Sequence, residues 1–288
     1  MKELNLIDMH THTRYSDGEL TPDELIIKAK NEGLGTIAIT DHDTLLGTQN
    51  ITISSEKEGI QVINGIEIST KVPIGLMHIL GYDINIYDEK LNEKMKELHN
   101  ISLYSVSGII YQLKKDYDIV FSTEDILEIL NRKSNIGRPD IAKLLIKYGY
   151  VSTIKEAFEK YLLEANRKCG KAQKGLPMDE SIKLIKDAGG IAVLAHPITL
   201  KRSKEELDNL VGQLVGYGLE GIEVYHSEHS QENCEEYLKL ADKYNLLISG
   251  GSDYHGPNTK PDIELGRGKN NIKVKKLTLL DRINSRKN

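Results

Sequence analysis

The chain has 288 residues, 39% of them hydrophobic, which suffices for one large α/β domain, or one domain carrying an insertion, around a substantial core. Lys and Arg number 38 against 43 Asp and Glu, a formal net charge of -5, so no global basic field draws long nucleic acid to the surface. The two cysteines, Cys169 and Cys234, are spaced neither as a metal clip nor as a disulfide framework, and no stretch reads as a signal segment or a membrane span, which points to a cytoplasmic protein.

In chain order, Leu4-Asn5-Leu6-Ile7 is a short apolar run suited to a buried strand, and it leads into Asp8-Met9-His10-Thr11-His12 and Ser16-Asp17-Gly18. Thr21-Pro22-Asp23-Glu24 combines an N-cap threonine, a proline at the first helical position and first-turn acids, so a helix starts there and runs to Gly33. Thr36 to Thr40 is the next strand-type run and ends in Asp41-His42-Asp43. A helix through Glu56 leads to Gln61-Val62-Ile63, then Gly65-Ile66-Glu67-Ile68-Ser69, and Gly75 to Leu80 sets His78 in an apolar run.

From 88 to 174 the pattern changes to long amphipathic stretches, a helical insertion that caps the active site. Helices are predicted over Leu91–Lys114, Ser122–Leu130, Ile141–Tyr148 and Ile154–Leu163, with a hinge at Gly149. The strand rhythm resumes from 175. Gly190–Leu194 leads to Ala195-His196-Pro197, Gly221–Tyr225 to His226, and Leu246–Gly250 to Ser252-Asp253-Tyr254-His255; Asn284 to Lys287 is a solvated basic tail. Roughly seven strands alternating with helices describe an α/β barrel built from 1–87 and 175–288.

Each candidate residue alone has an ordinary explanation. A histidine in an apolar run is commonly a satisfied core residue, and Glu67 could be the buried partner of a lysine. Together, His10, His12, Asp17, His42, Glu67, His78, His196, Asp253 and His255 fall at or near successive strand ends, which a parallel barrel gathers at one mouth. Burying so many ionisable groups without an ion is costly, and imidazoles mixed with carboxylates suit Zn, Mn or Fe.

The motifs Asp8-x-His10-x-His12, Ser16-Asp17-Gly18, Thr40-Asp41-His42-Asp43, Gly65-x-Glu67, His196-Pro197 and Ser252-Asp253-x-His255 resemble, in order and over nearly the whole chain, those of the polymerase and histidinol phosphatase (PHP) family. That resemblance implies a distorted (β/α)7 barrel with an inserted small helical domain, and two to three divalent metal ions, Mn2+ first, with Zn2+ or Fe2+ as alternatives. Carried over by position, it implies one metal held by His10, His12, Glu67 and Asp253, a second by the bridging Glu67 with His78 and His196, and a third by Asp17, His42 and His255. Asp17 and Glu67 would be catalytic, and Asp8 and Asp41 would either orient imidazoles from behind or serve as strand-end hydrogen-bonding residues.

The insertion is similar to the trpH-like branch at Gly137-Arg138-Pro139, Ile141-Ala142, Gly149-Tyr150-Val151 and Ala157-Phe158-x-x-Tyr161-Leu162, and departs from it at Asp140 and at Cys169-Gly170-Lys171-Ala172-Gln173. The branch implies hydrolysis of a nucleotide phosphate monoester, of the AMP or nucleoside 3',5'-bisphosphate type, by a metal-activated hydroxide. The rivals are a phosphodiesterase, acting 5' to 3' on short RNA or opening a small cyclic phosphate, and a metal- or nucleotide-binding regulator without turnover. Phosphate also needs cationic or protic contacts, for which Arg138, Lys168, Lys171, His226 and His229 are the candidates. Expected partners are therefore small nucleotides and short oligonucleotides, with neither long nucleic acid nor membrane.

Overall fold

The structure is a computed structural model that describes residues 6–132, 136–169 and 175–286. Leu4 and Asn5 of the first strand run, Lys171 with its neighbours from Gly170 to Gln173, and Lys287 lie outside the described residues. The chain divides into two compact units, Met1–Asn92 with Gly175–Asn288, and Glu93–Lys174. The change of composition sets a break at 88; the division by contacts falls inside the helix Glu89–Tyr117.

In the first unit, seven strands form one sheet in sequence order. They are β1 (Leu6–Thr11), β2 (Leu34–Ile39), β3 (Gln61–Thr70), β4 (Met77–Tyr82), β5 (Ile191–Leu194), β6 (Gly221–His226) and β7 (Leu247–Gly251). β1, β2 and β3 pair in parallel, as do β5, β6 and β7. β4 runs antiparallel to both its neighbours, which corrects the expectation of a uniformly parallel barrel. The six-residue link between Thr70 and Met77 is too short for a parallel crossover but ample for a hairpin. The reversal brings the start of β4 to the end of β3, with His78 opposite Ser69. His78 therefore reaches the common mouth from a strand's beginning, whereas the other ligand-type residues approach it from strand ends or the loops that follow.

The sheet is nearly closed where β7 meets β1. Thr11 and Tyr254 form a parallel bridge, and Asp253 N donates to His10 O at 2.9 Å and His12 N to Tyr254 O at 3.0 Å. Asp8 fastens this seam: its carboxylate accepts from Ser252 N at 2.8 Å, Ser252 Oγ at 2.5 Å, Gly266 N at 2.7 Å and His10 N at 3.2 Å. Gly251 is required there, because a Cβ would collide with the backbone nitrogen and Cβ of His10.

Local chemistry explains the surrounding helices. Pro22–Glu32 begins with a complete capping box between Thr21 and Glu24 and ends at Gly33 with φ +88°, and its Leu25, Ile26 and Ala29 are buried with Ile37 and Ile39 of β2. The predicted helix through Glu56 is instead two single turns, Leu46–Gln49 and Ser55–Glu58. Met9, Ala38, Ile63, Leu80, Tyr82 and Val193 belong to a second core cluster, in which the Tyr82 hydroxyl donates to Met9 O at 2.8 Å. The unit Glu93–Lys174 has its own core, including Val106, Ile109, Leu113, Phe121, Ile141, Leu145 and Leu162. Its helices Thr123–Leu130, Arg138–Lys147 and Ile154–Ala157 agree with the predicted stretches. The last continues through a π-turn, Phe158–Leu162, to Lys168.

Replacing Asp8 with Ala leaves several buried donors at the seam without an acceptor. Each unsatisfied donor costs about 1–3 kcal/mol, so denaturant unfolding should show a loss of about 3 kcal/mol or more. A loss below about 1 kcal/mol would contradict the role given to Asp8.

Candidate metal centre

Side chains from every strand end or adjoining loop meet at the mouth, and Glu67 lies at their centre. It sits within β3 and is wholly buried. Its Oε2 lies 3.1 Å from His10 Nε2, 3.2 Å from His12 Nε2 and 3.1 Å from His42 Nδ1. Its Oε1 lies 2.8 Å from both His78 Nδ1 and His196 Nε2. Asp253 Oδ1 lies 3.1 Å from His12 Nε2 and 3.6 Å from His10 Nε2, while Asp17 Oδ1 is 3.1 Å from His255 Nε2 and Asp17 Oδ2 is 3.9 Å from His42 Nε2. All nine residues singled out in the sequence are thus brought together.

The backbone is bent to achieve this. Asp43, His196 and Asp253 hold φ of +51°, +23° and +57°, conformations that cost a side-chain-bearing residue energy and that cluster where function needs them. Asp43 is held by Ser69, whose N and Oγ donate to its carboxylate at 2.7 and 2.8 Å.

Burial pushes the Glu67 carboxyl upward, but the imidazoles of His42, His10 and His78 outweigh it and hold the group well below the usual carboxylate range. Burial likewise opposes charge on His12, yet the carboxylates of Asp253 and Glu67 close beside its ring raise it to about 9. His42 goes the other way, driven by burial down to about 3. The crowded imidazoles cannot all carry protons, so some face the carboxylates with bare lone pairs. The atoms His12 Nε2, Asp17 Oδ1 and His42 Nδ1 are buried and make no hydrogen bond despite their close neighbours. Three groups have ligand atoms all within 4.8 Å of one another: His10, His12 and Glu67; His42, Glu67 and His78; and His12, Asp17, His42 and His255. Orphaned donors converging on shared carboxylates fit divalent metal ions, and imidazole with carboxylate fits Mn, Fe or Zn.

Two further residues belong to the site and were not singled out in the sequence. Glu223, in β6 and wholly buried, accepts from His10 Nδ1 at 2.9 Å and from His196 N at 2.7 Å. The signal was available: Gly221-Ile222-Glu223 repeats Gly65-Ile66-Glu67, an acid in an otherwise apolar strand. Lys260 places Nζ 2.5 Å from Asp253 Oδ2 and is, among the described residues, the only lysine or arginine paired with a carboxylate of the site. A lysine in a loop after the last motif carries no such signal.

The remaining candidates fare unevenly. Asp8 and Asp41 touch no imidazole through a hydrogen bond. Asp8 ties the barrel seam, and Asp41 accepts from Thr13 N, Thr13 Oγ1 and Ser16 Oγ, the last of which lies 3.3 Å from His12 Nδ1. His226 and His229 are buried rather than exposed. His226 Nε2 lies 3.5 Å from Asp253 Oδ2, while His229 donates from Nδ1 to Val224 O at 2.8 Å and is depressed by burial to about 4. In the helical unit, Lys168 is engaged by Asp116 at 2.6 Å and Glu164 at 3.5 Å. Arg138 lies over the Phe158 ring, 5.5 Å from its centroid, and has no carboxylate partner among the described residues.

A PHP domain profile matches residues 8–253, and the chain belongs to the PHP family. It is 32% identical to the 5'-3' exoribonuclease Rnm of Salmonella typhimurium over 91% of this chain and 88% of that one. It is 29% identical to the 3',5'-nucleoside bisphosphate phosphatase of Chromobacterium violaceum over 87% of each chain. A crystal structure from Bifidobacterium adolescentis, provisionally assigned as a metal-dependent phosphoesterase, superposes with a TM-score of 0.81 at 31% identity, covering 97% of this chain and 96% of that one. The barrel is accordingly that of the PHP enzymes, and the chain is a metal-dependent phosphoesterase.

A divalent ion that binds the folded site and not the unfolded chain stabilises by about 4 kcal/mol at a thousandfold excess over Kd. Thermal unfolding with manganese or zinc should therefore lie several degrees above that in chelator, and identical curves would count against the centre.

Proposed function

We propose that this phosphoesterase releases phosphate from a nucleotide monoester, of the AMP or nucleoside 3',5'-bisphosphate type, in the cytoplasm, with Mn2+ as its preferred ion and Zn2+ or Fe2+ as alternatives. The observation that carries the reading is the Glu67 carboxylate, with three imidazoles at one oxygen and two at the other. One anion shared in this way suits a pair of cations, with His10, His12 and Asp253 completing one set and His78 and His196 the other. Asp17, His42 and His255 supply a third. When bound, such ions lower the pKa of water and offset the charge on phosphoryl oxygens.

The chain's own residues do the rest. The site brings Glu67, Asp17, Asp253 and Glu223 together, so an incoming phosphate needs cationic help beyond metal. Lys260, 34% exposed, is the ammonium already at the carboxylates. Asp17 is the most solvent-accessible of the carboxylates, at 31%, and faces both His42 and His255. It is the side chain best placed to orient water or accept its proton. His226, its Nε2 toward Asp253, supplies a proton donor near the same edge. Arg138, which has no carboxylate partner among the described residues, is the fork proposed to recognise the nucleotide's second anionic group.

A second reading, trimming of short RNA from its 5' end, draws on the similarity to the Salmonella exoribonuclease. A regulator without turnover is disfavoured by the complete ligand-type set. Phosphate release by manganese-loaded protein, followed on AMP, adenosine 3',5'-bisphosphate and a 5'-phosphorylated RNA with products identified by mass, separates the three. Loss of one phosphate from a mononucleotide is the expected result. Shortening of the RNA alone would transfer the assignment to the diesterase, and binding without cleavage to the regulator. The Asp17→Ala variant should lose at least roughly a hundredfold in kcat while unfolding at an unchanged temperature; retention of most activity would remove Asp17 from the mechanism.

A further inference from the structure

Two glutamates grip the same pair of histidines. Glu67 faces His10 Nε2 through Oε2 and His196 Nε2 through Oε1, at 3.1 and 2.8 Å. Glu223 takes hold of the same residues from behind. Its Oε1 accepts from His10 Nδ1 at 2.9 Å and its Oε2 accepts the backbone N–H of His196 at 2.7 Å. The rings of His10 and His196 lie stacked, with centroids 5.7 Å apart and planes 24° from parallel. They come from the beginning of the barrel and from the loop after β5, so nothing in local sequence aligns them.

We propose that Glu223 is a positioning residue that fixes the ring of His10 and the backbone of His196 together, so that both present Nε2 to the centre. The proposal rests on the metal reading above. Its argument is one of hydrogen-bond arithmetic. An acceptor at Nδ1 obliges His10 to keep its proton there, which leaves Nε2 to bind metal as a lone pair. His196 sits at φ +23°, a backbone conformation that persists only where neighbours over-determine it, and the second oxygen of Glu223 is one of those restraints. Thr199 adds others: its N and Oγ1 both donate to His196 O at 3.0 Å, and Oγ1 lies 2.9 Å from His196 Nδ1. Two donors thus converge on one carboxylate with no exposure to water. Only a carboxylate serves both. The amide of glutamine has one acceptor and one donor, so Glu223→Gln must either abandon His196 N–H or donate to His10 Nδ1 and turn the ring to the tautomer protonated at Nε2. The neighbouring group His10, Glu223 and His226, whose ligand atoms also lie within 4.8 Å of one another, is accounted for by this hydrogen bond without a further ion.

The test uses the full chain and zinc, chosen because it is diamagnetic. Wild type, Glu223→Gln and Glu223→Asp are compared by chelator competition for affinity, atomic emission for bound zinc, and NMR of the ring N–H protons with 15N-labelled histidine. The expected result is a loss of affinity of roughly 10–100-fold in Glu223→Gln, the range usual for partners of metal-bound histidines, with Glu223→Asp recovering part of it. The zinc-loaded wild type should show a hydrogen-bonded His10 Nδ1–H proton that is lost or shifted upfield in Glu223→Gln. Should Glu223→Gln not fold, Glu223→Asp and the wild-type proton signal still decide. A wild-type His10 without that proton, or a Glu223→Gln that binds zinc as tightly as wild type, overturns the role of Glu223 and leaves the metal centre standing. A wild-type protein that takes up neither zinc nor manganese overturns the metal reading itself, and this role with it.

Discussion

The burial of Glu67 is the constraint from which the rest of the barrel's mouth follows. A carboxylate with no contact with water is strongly disfavoured unless positive charge or hydrogen-bond donors surround it. Here five imidazoles supply that surrounding, two at one oxygen and three at the other, and they are delivered by four different pieces of chain. His10 and His12 come at the end of β1, His42 after β2, His78 at the start of β4 and His196 after β5. The order of the strands, the reversal of β4 and the left-handed backbone at His196 all serve this one convergence.

A carboxylate held by imidazoles is also easily converted. Protons on the rings compete with cations for the same lone pairs, so loading such a centre releases protons. The opposing tendencies of His12, raised to about 9, and His42, depressed to about 3, show that the protons it holds are unevenly shared. A centre of this kind gains stability from cations and offers their charge to an anionic substrate.

Much of this was legible in the sequence because strand ends carry short, distinct motifs. Seven strands, the helical interruption and all nine ligand-type residues could be read from apolar runs followed by His, Asp or Glu. What escaped was set by tertiary contact. The direction of β4 depends on how Thr70 to Met77 turns, and His78 reads the same whichever way the strand runs. Asp8 and Asp41, beside ligands in sequence, turned out to hold backbone and hydroxyl groups, because their neighbours across the seam and in the Thr13 to Ser16 turn are invisible in one dimension. Glu223 escaped although its Gly-Ile-Glu matches that of Glu67, since a single acid in a strand is ambiguous until its partners are known. Lys168 likewise reads as an unpartnered cation beside a motif, because Asp116, which it meets in the fold, is far off in sequence.

The seam between β1 and β7 joins stretches far apart in the chain, with Asp8 bonded to Ser252, 244 residues away, and to Gly266, 258 residues away. Contacts of that separation carry the largest loop-closure cost and are slow to form. His10 is made long before Asp253 and His255, so the centre can form only once β7 and the loop after it have been made, and an ion bound there would report that the barrel has shut.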